Sequence, residues 1–289
     1  MSGNNTNLIA FNYFGGKFSW LHNLYQYFPN QYDHLVDLFA GSYVVSLNAP
    51  GNIIRTANDI NDDVTNFFEV LRDYPEVLVS KLKLTPVSVS EYNNSWEDTD
   101  CKIENARRFY VRVRQSFFGL GAQRKNKGWH MAVSGVNATG GETVSRWNNS
   151  LDKLIEVAYQ LRSKFQITNY DAVELIDKTN KPKTFFYVDY PYDCETRNSK
   201  NDYKFEFSDE KKIELSEKLH KIDGLAMVSG YPGGITEELY KDWRQIRFPK
   251  KANHIKATLR KKNKKVEVQE CIWINYDISI TRMSQPELF

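Results

Sequence analysis

The chain has 289 residues, 41% of them hydrophobic, enough for a sizeable α/β core with one smaller lobe rather than several domains. A net charge of +3 does not by itself mark a nucleic-acid binder, so where the basic residues bunch matters more than their sum. Cys101, Cys194 and Cys271 have neither zinc-ligand spacing nor an even set for disulfides, residues 1–7 lack the order of a signal peptide, and no apolar stretch approaches the ~20 residues of a membrane span, so a soluble, intracellular, cytoplasmic protein without a metal is expected.

Tyr13-Phe14-Gly15-Gly16-Lys17 reads as a turn, followed by an amphipathic run through Leu21, Leu24 and Phe28. A strand over 34–39 ends at Ala40-Gly41-Ser42, and a second over 52–56 stops before Asn58-Asp59-Ile60-Asn61. Val64, Phe67, Phe68 and Leu71 then recur at helical spacing. This β-turn-α-β-acid order opens a doubly wound sheet. From about 84 to 147 the α/β alternation lapses, and we read an inserted lobe: a helix over 103–117, a basic stretch through Arg124, Lys125 and Lys127, and a hairpin or flexible loop over 134–145. A helix over 149–164 and a strand over 165–168 follow. Thr184 to Val188 is a continuous apolar run, as a central parallel strand covered on both faces requires. Ser208 suits a helix N-cap, with Asp209 and Glu210 in the first turn. A strand over 225–229, a basic stretch over 250–265 and a terminal strand over 268–276 complete the chain.

The chemistry centres on Asp189-Tyr190-Pro191-Tyr192, at the end of that apolar run. Open α/β sheets bind ligands at the carboxyl ends of their strands. Pro191 forces Tyr190 out of the helical region, so the chain leaves the strand extended and stiff. An acid there can accept a hydrogen bond from an amino group, and a ring beside it can stack on a flat base. A strand followed by a proline turn with incidental tyrosines explains the same four residues, which alone do not separate the two readings.

In its neighbours the chain resembles the DNA adenine methyltransferases whose motifs run cofactor region, target-recognition region, catalytic region. That family's Asp-Pro-Pro-Tyr corresponds to Asp189-Tyr190-Pro191-Tyr192, its aromatic-x-Gly-Gly-Lys to Tyr13 through Lys17, and its Asp-x-Phe-x-Gly to Asp37-Leu38-Phe39-Ala40-Gly41. The acid ending its second strand corresponds to Asp59, and its later aromatic-acid pair to Tyr170-Asp171. The resemblance implies a Rossmann-like methyltransferase sheet, mostly parallel with about seven strands. The catalytic domain would then comprise 1–83 and 148–289, and 84–147 the DNA-recognition lobe. It implies S-adenosylmethionine as cofactor, held by Tyr13, Lys17, Phe39, Gly41, Asp59, Tyr170, Asp171 and Asp189. Asp59 would take the ribose hydroxyls, although a helix N-cap explains that residue too. Lys17 would pair with the methionine carboxylate or with Asp189, and Tyr170 and Asp171 would flank the adenine. The implied reaction is methylation of the exocyclic amino group of adenine in duplex DNA.

Two positions depart from the pattern. Tyr43 stands where the family often has a second glycine, and its ring would crowd the methionine end of the cofactor unless it turned into the core. Tyr190 replaces a proline, giving up its fixed φ and adding a ring beside the base pocket, which bears on activity.

A target base inside a duplex must be flipped out, at a cost of roughly a few kcal/mol. Arg107, Arg108, Arg112 and Arg114 precede Phe117 and Phe118, and Arg124, Lys125 and Lys127 follow. Such cations neutralise phosphates, while Phe117, Phe118 or Leu120 would wedge into the vacated stack. A solvated basic helix with its aromatics in a core fits equally. Lys261, in the run 260–265, would contact phosphates from a loop or sit at a solvated hairpin tip. The expected partner is double-stranded DNA, with a monomeric enzyme and, for a restriction-modification role, a cognate endonuclease. The alternatives are an amino methyltransferase acting on RNA or protein, and a DNA- or cofactor-binding homologue without catalysis.

Overall fold

The computed structural model of the chain describes residues 7–13, 15–116, 128–131, 136–137, 140–191, 207–252 and 267–284. In chain order come helix α1 (Leu21–Gln26), strand β1 (His34–Asp37), α2 (Val44–Asn48), β2 (Ile54–Asn58), α3 (Asp62–Asp73), α4 (Pro75–Lys83), α5 (Val89–Asn94) and α6 (Lys102–Arg114). Next are β3 (Val136–Asn137), β4 (Gly140–Gly141), α7 (Glu142–Leu151), α8 (Leu154–Lys164), β5 (Phe165–Thr168), α9 (Ala172–Thr179) and β6 (Thr184–Val188). The last are α10 (Asp209–Leu219), β7 (Leu225–Gly230), α11 (Gly234–Leu239), β8 (Arg244–Arg247), β9 (Lys251–Ala252), β10 (Glu267–Val268) and β11 (Cys271–Ile274).

Seven strands take the order β5-β2-β1-β6-β7-β11-β8 in one sheet. Neighbours β1, β6 and β7 are parallel, as are β2 and β5, whereas β11 runs against both β7 and β8. This is the mostly parallel sheet expected from the sequence. Every residue of β6 is buried, as its apolar run required.

Several boundaries differ from the expectation. The second strand begins two residues later and extends to Asn58, because Gly51 turns at φ 97° and the ladder runs from Arg55 opposite Phe165 to Asn58 opposite Thr168. The single helix expected over 149–164 is two, α7 and α8. Its buried stripe of Trp147, Leu151, Leu154, Ala158 and Leu161 continues across the break, so the apolar period could not reveal it. Residues 142–145, expected in a loop, form the first turn of α7. The terminal strand shortens to β11, ending where the Asn275 side chain accepts from the Ala226 N–H at 2.8 Å.

By contacts the chain forms two compact units, the described part of the first within 7–18 and 40–169, and of the second within 19–39, 170–191 and 207–284. The described residues of 84–147 lie inside the first. That unit's core is aromatic: Phe11, Phe67, Phe68, Phe109 and Tyr110 meet in edge and stacked pairs, with α3 laid on α6. At those positions the rings are core residues and are not available to stack on bases. In the second unit Val36, Phe186, Val188, Ala226, Val228, Cys271 and Trp273 face α9 and α10 from one side of the sheet, alternating along each strand as the two-residue period demands. Phe28 and Tyr32 cover Phe185 on the opposite side. Among the described residues no helix is long and apolar enough to cross a membrane.

Candidate active site

The first unit supplies the glycine loop. The Gly16 N–H donates to the Tyr13 carbonyl at 2.9 Å, and Gly15 has φ 81°, the conformation a type II turn reserves for glycine. The expected turn therefore forms; Phe14 lies outside the described residues. Lys17 is buried and its ammonium donates to the Gly15 carbonyl at 3.3 Å. Gly41 has φ 52°, and a Cβ there would come within 3.1 Å of the Tyr13 ring, so any other residue is strained at this position.

Asp59 braces that loop. One carboxylate oxygen accepts the Gly41 N–H and the other the Asn61 N–H, both at 2.9 Å. Its carbonyl accepts from the Thr65 hydroxyl at 3.1 Å and the Asn169 amide at 2.7 Å. The N-cap of α3 is Asn61, which accepts from the Asp63 N–H at 3.2 Å, so capping does not account for Asp59. Burial pushes the Asp59 carboxyl up to about 6 against the two backbone hydrogen bonds that lower it. A carboxylate has about four lone-pair directions. With two taken, two remain for hydroxyls such as those of a ribose. The half-buried Tyr13 ring, the close-approach glycine and this acid fit a nucleoside cofactor.

Tyr43 does not crowd the loop. Its φ of 57° is the left-handed backbone that glycine favours, and its ring is fully buried on Phe68, with centroids 3.7 Å apart and planes 10° from parallel. The side chain has turned into the core.

The second unit supplies the strand end. Asp189 is half-buried, directly after β6. Two residues earlier on the same face of the strand, the buried Tyr187 hydroxyl pairs with that of Ser229 at 2.9 Å. Burial, reinforced by the negative charge of Asp189, drives the Tyr187 phenol well above its ordinary value and keeps it protonated. Tyr190 overturns the expectation of a ring beside a base pocket. It is 2% exposed, stacks on Phe207 at 5.6 Å and 24°, meets the edge of Phe39 at 6.1 Å, and its hydroxyl pairs with that of Thr236 at 2.9 Å. Alternation explains this: Tyr190 follows Phe186 and Val188 into the core, leaving Asp189 on the other face. Pro191 is half-buried and Tyr192 lies outside the described residues. Phe39 is half-buried against Tyr190 and Phe207. Tyr170 is exposed with the Lys178 ammonium 5.0 Å from its ring centre, and Asp171 caps α9 by accepting the Val173 N–H at 2.9 Å.

The arginines of α6 correct another expectation. Arg107 pairs with Glu91 and with Glu104 at 2.7 Å, and Arg108 with Glu104 at 2.9 Å. The Arg107 guanidinium, aided by Arg108, holds the Glu104 carboxyl down at about 2. Arg112 is buried, bonded to the Ser95 carbonyl and 3.3 Å from Asp63, with Trp96 and Phe109 against its guanidinium. These three cations serve the unit's interior, because a helix this arginine-rich packs only if its buried charges are paired. Arg114 is half-buried and donates to the Arg146 carbonyl at 2.8 Å. Phe117, Phe118, Leu120, Arg124, Lys125, Lys127 and Lys261 lie outside the described residues.

Sequence reading missed Gln115. Fully buried, its side chain accepts from the Ser88 N–H and the Trp129 indole and donates to the Pro86 carbonyl at 3.1 Å. Its own carbonyl accepts from the His130 N–H at 2.8 Å. It also missed Thr236. Neither position carries a local signal, since their partners are distant in the chain.

A mostly parallel sheet with one antiparallel strand near its edge, a glycine loop after β1 and an acid after β2 together define a Rossmann-like methyltransferase fold. The model of the D12 class N6 adenine-specific DNA methyltransferases matches residues 13–254, and the chain belongs to that family. It is therefore a methyltransferase, of a kind whose methyl donor is generally S-adenosylmethionine. Three solved structures give distant likenesses. A protein described as a methyltransferase, yhhF of Escherichia coli, aligns at 11% identity over 90% of this chain and 84% of its own, with a TM-score of 0.33. A protein described as an rRNA methylase of Clostridium thermocellum aligns at 11% over 90% and 97%, with a TM-score of 0.39. The rRNA methyltransferase aviRa of Streptomyces viridochromogenes aligns at 9% over 89% and 82%, with a TM-score of 0.33.

Proposed function

We propose that this chain transfers a methyl group from S-adenosylmethionine to the exocyclic amino group of adenine in duplex DNA, at a specific site and after the target base has been flipped out. The observation that carries the reading is Asp189, a half-buried carboxylate directly after a fully buried parallel strand in a chain of this family. Asp189 accepts a hydrogen bond from the target amine, so the nitrogen lone pair is turned outward and the positive charge developing on nitrogen is stabilised. S-adenosylmethionine supplies an electrophilic methyl group. Asp59 takes its ribose hydroxyls, and Gly41 allows close backbone approach beside Tyr13. Pro191 and Tyr192 complete the segment that receives the base. Lys17 and Phe39 line the cofactor region, Tyr170 and Asp171 its adenine end. Arg114, Phe117, Phe118, Leu120, Arg124, Lys125, Lys127 and Lys261 contact the DNA, and the enzyme acts in the cytoplasm as a monomer.

The test is incubation of the purified protein with labelled S-adenosylmethionine and, separately, mixed-sequence duplex DNA, RNA and protein. Label on the amino group of adenine in DNA is expected. Label confined to RNA or protein, or cofactor binding with no transfer, defeats the reading.

A further inference from the structure

We infer that Tyr190 is a positioning residue, a side-chain strut that holds the Asp189 strand end by its hydroxyl bond to Thr236. The inference rests on the reading of Asp189 as the amine acceptor. Pro191 already confines Tyr190 to extended backbone. What a proline at position 190 would add is rigidity one residue closer to Asp189, and here that rigidity comes from tertiary contacts. The ring is 2% exposed, stacked on Phe207 and edge-on to Phe39, so it has no other rotamer to visit. Its hydroxyl spans 46 residues of sequence to reach Thr236 on α11.

The far end of the strut is itself anchored. Thr236 is 6% exposed and lies over the carboxyl end of β7, where a Cβ on Gly230 would stand 3.6 Å from its methyl group and 3.0 Å from the Trp273 ring. Gly230 therefore makes room for the Trp273 ring, beside which the threonine methyl packs at ordinary contact distance. The first turn of α11 is fixed by Glu237, which accepts the Gly233 N–H and pairs with Arg247 of β8 at 3.0 Å. Strand β6, helix α11 and strand β8 are thereby linked through Tyr190, Thr236, Glu237 and Arg247. Losing the hydroxyl leaves the ring packed and frees the strand end in small steps, which costs orientation of Asp189 rather than affinity for either substrate.

The experiment compares Tyr190→Phe, Thr236→Val, Thr236→Ser, the Tyr190→Phe/Thr236→Val double variant and Tyr190→Pro, by kinetics and by hydrogen–deuterium exchange of peptides covering 184–191 and 230–240. Tyr190→Phe and Thr236→Val should each lower kcat about tenfold, the equivalent of one well-made hydrogen bond. KM for DNA and Kd for S-adenosylmethionine should stay within about twofold, since the hydroxyl pair itself touches neither substrate. The double variant should be no slower than either single one, and Thr236→Ser should restore the rate, because the hydroxyl is retained. Tyr190→Pro, although it brings back the family residue, should be slower than wild type. Exchange should rise in both peptides in Tyr190→Phe and in Thr236→Val alike. A Tyr190→Pro enzyme as fast as wild type, independent effects in the double variant, or unchanged exchange overturns the strut. If wild type methylates no adenine in DNA while exchange rises as expected, the reading of Asp189 fails and the strut stands.

Discussion

Gly41 and Asp59, in the first unit, are tied by a hydrogen bond from a backbone N–H to a carboxylate across 18 residues, whereas Tyr190, in the second, is tied to Thr236 by side chains alone across 46. The glycine loop is written in backbone conformation: φ 81° at Gly15, 52° at Gly41 and 57° at Tyr43. The strand end is written in packing, by rings from Phe39 and Phe207 and a hydroxyl from α11. Both departures from the family pattern obey the rule of their own region. Tyr43 keeps the left-handed backbone of a glycine and sends its ring into the core; Tyr190 gives up the φ lock of a proline and gains contacts. A substitution is tolerated where it preserves the means by which that region is held.

The sharpest test of the loop's conformational basis is Tyr43. Tyr43→Ala removes a ring stacked on Phe68 and should cost about 3–5 kcal/mol of stability. Tyr43→Gly should lose about 1 kcal/mol less, because glycine has no penalty in the left-handed region. Chemical denaturation measures both, and equal losses would remove backbone strain from the account. At the strand end Asp189→Asn should lower single-turnover methyl transfer by about 10²–10³ with cofactor affinity unchanged, the scale of losing one oriented acceptor of transition-state charge. A loss seen only in KM would make Asp189 a binding group.

Gly41→Ala places a methyl group 3.1 Å from the Tyr13 ring at φ 52° and should weaken S-adenosylmethionine about tenfold, at a strain of roughly 1–2 kcal/mol. Calorimetry on this variant separates the loop from the strand end, since DNA binding should not change. The smallest effect is that of pH. The Asp59 carboxyl, raised from 3.8 to about 6, binds its proton more tightly in the folded chain than in the unfolded one. Its contribution to stability is therefore full below about 3.8 and is lost as pH rises through about 6. Cofactor binding has the opposite sign, because the ribose hydroxyls need the ionised acceptor. Affinity should decline as pH falls below about 6, and Asp59→Asn should be weaker but flat; a flat wild-type profile between pH 5 and 8 would remove Asp59 from the ribose site.

The same contrast explains what could be read beforehand. Gly41 comes shortly after β1, Asp59 directly after β2, and β6 is a continuous apolar run, so their place in the chain revealed the sheet and the acid after each of two strands. The orientation of Tyr190 follows from the alternation that carries Phe186 and Val188 into the core, a pattern that extends beyond the tetrapeptide and sets the face its ring takes. Thr236 and Gln115 were invisible because a hydrogen bond to a distant partner leaves no period. The break between α7 and α8 was hidden for the opposite reason, as one apolar stripe runs through both. The α6 arginines misled because a cluster of cations looks the same in sequence whether its partners are phosphates or, as here, Glu91, Glu104 and Asp63.

Those internal pairs have a consequence for how binding to a polyanion would respond to ionic strength. An arginine already neutralised by a carboxylate displaces no condensed counterions when a nucleic acid arrives, so Arg107, Arg108 and Arg112 add nothing to the dependence of affinity on salt. Each unit of that slope then counts a basic side chain elsewhere in the chain. A titration of affinity against salt becomes a census of the cations that reach the phosphates.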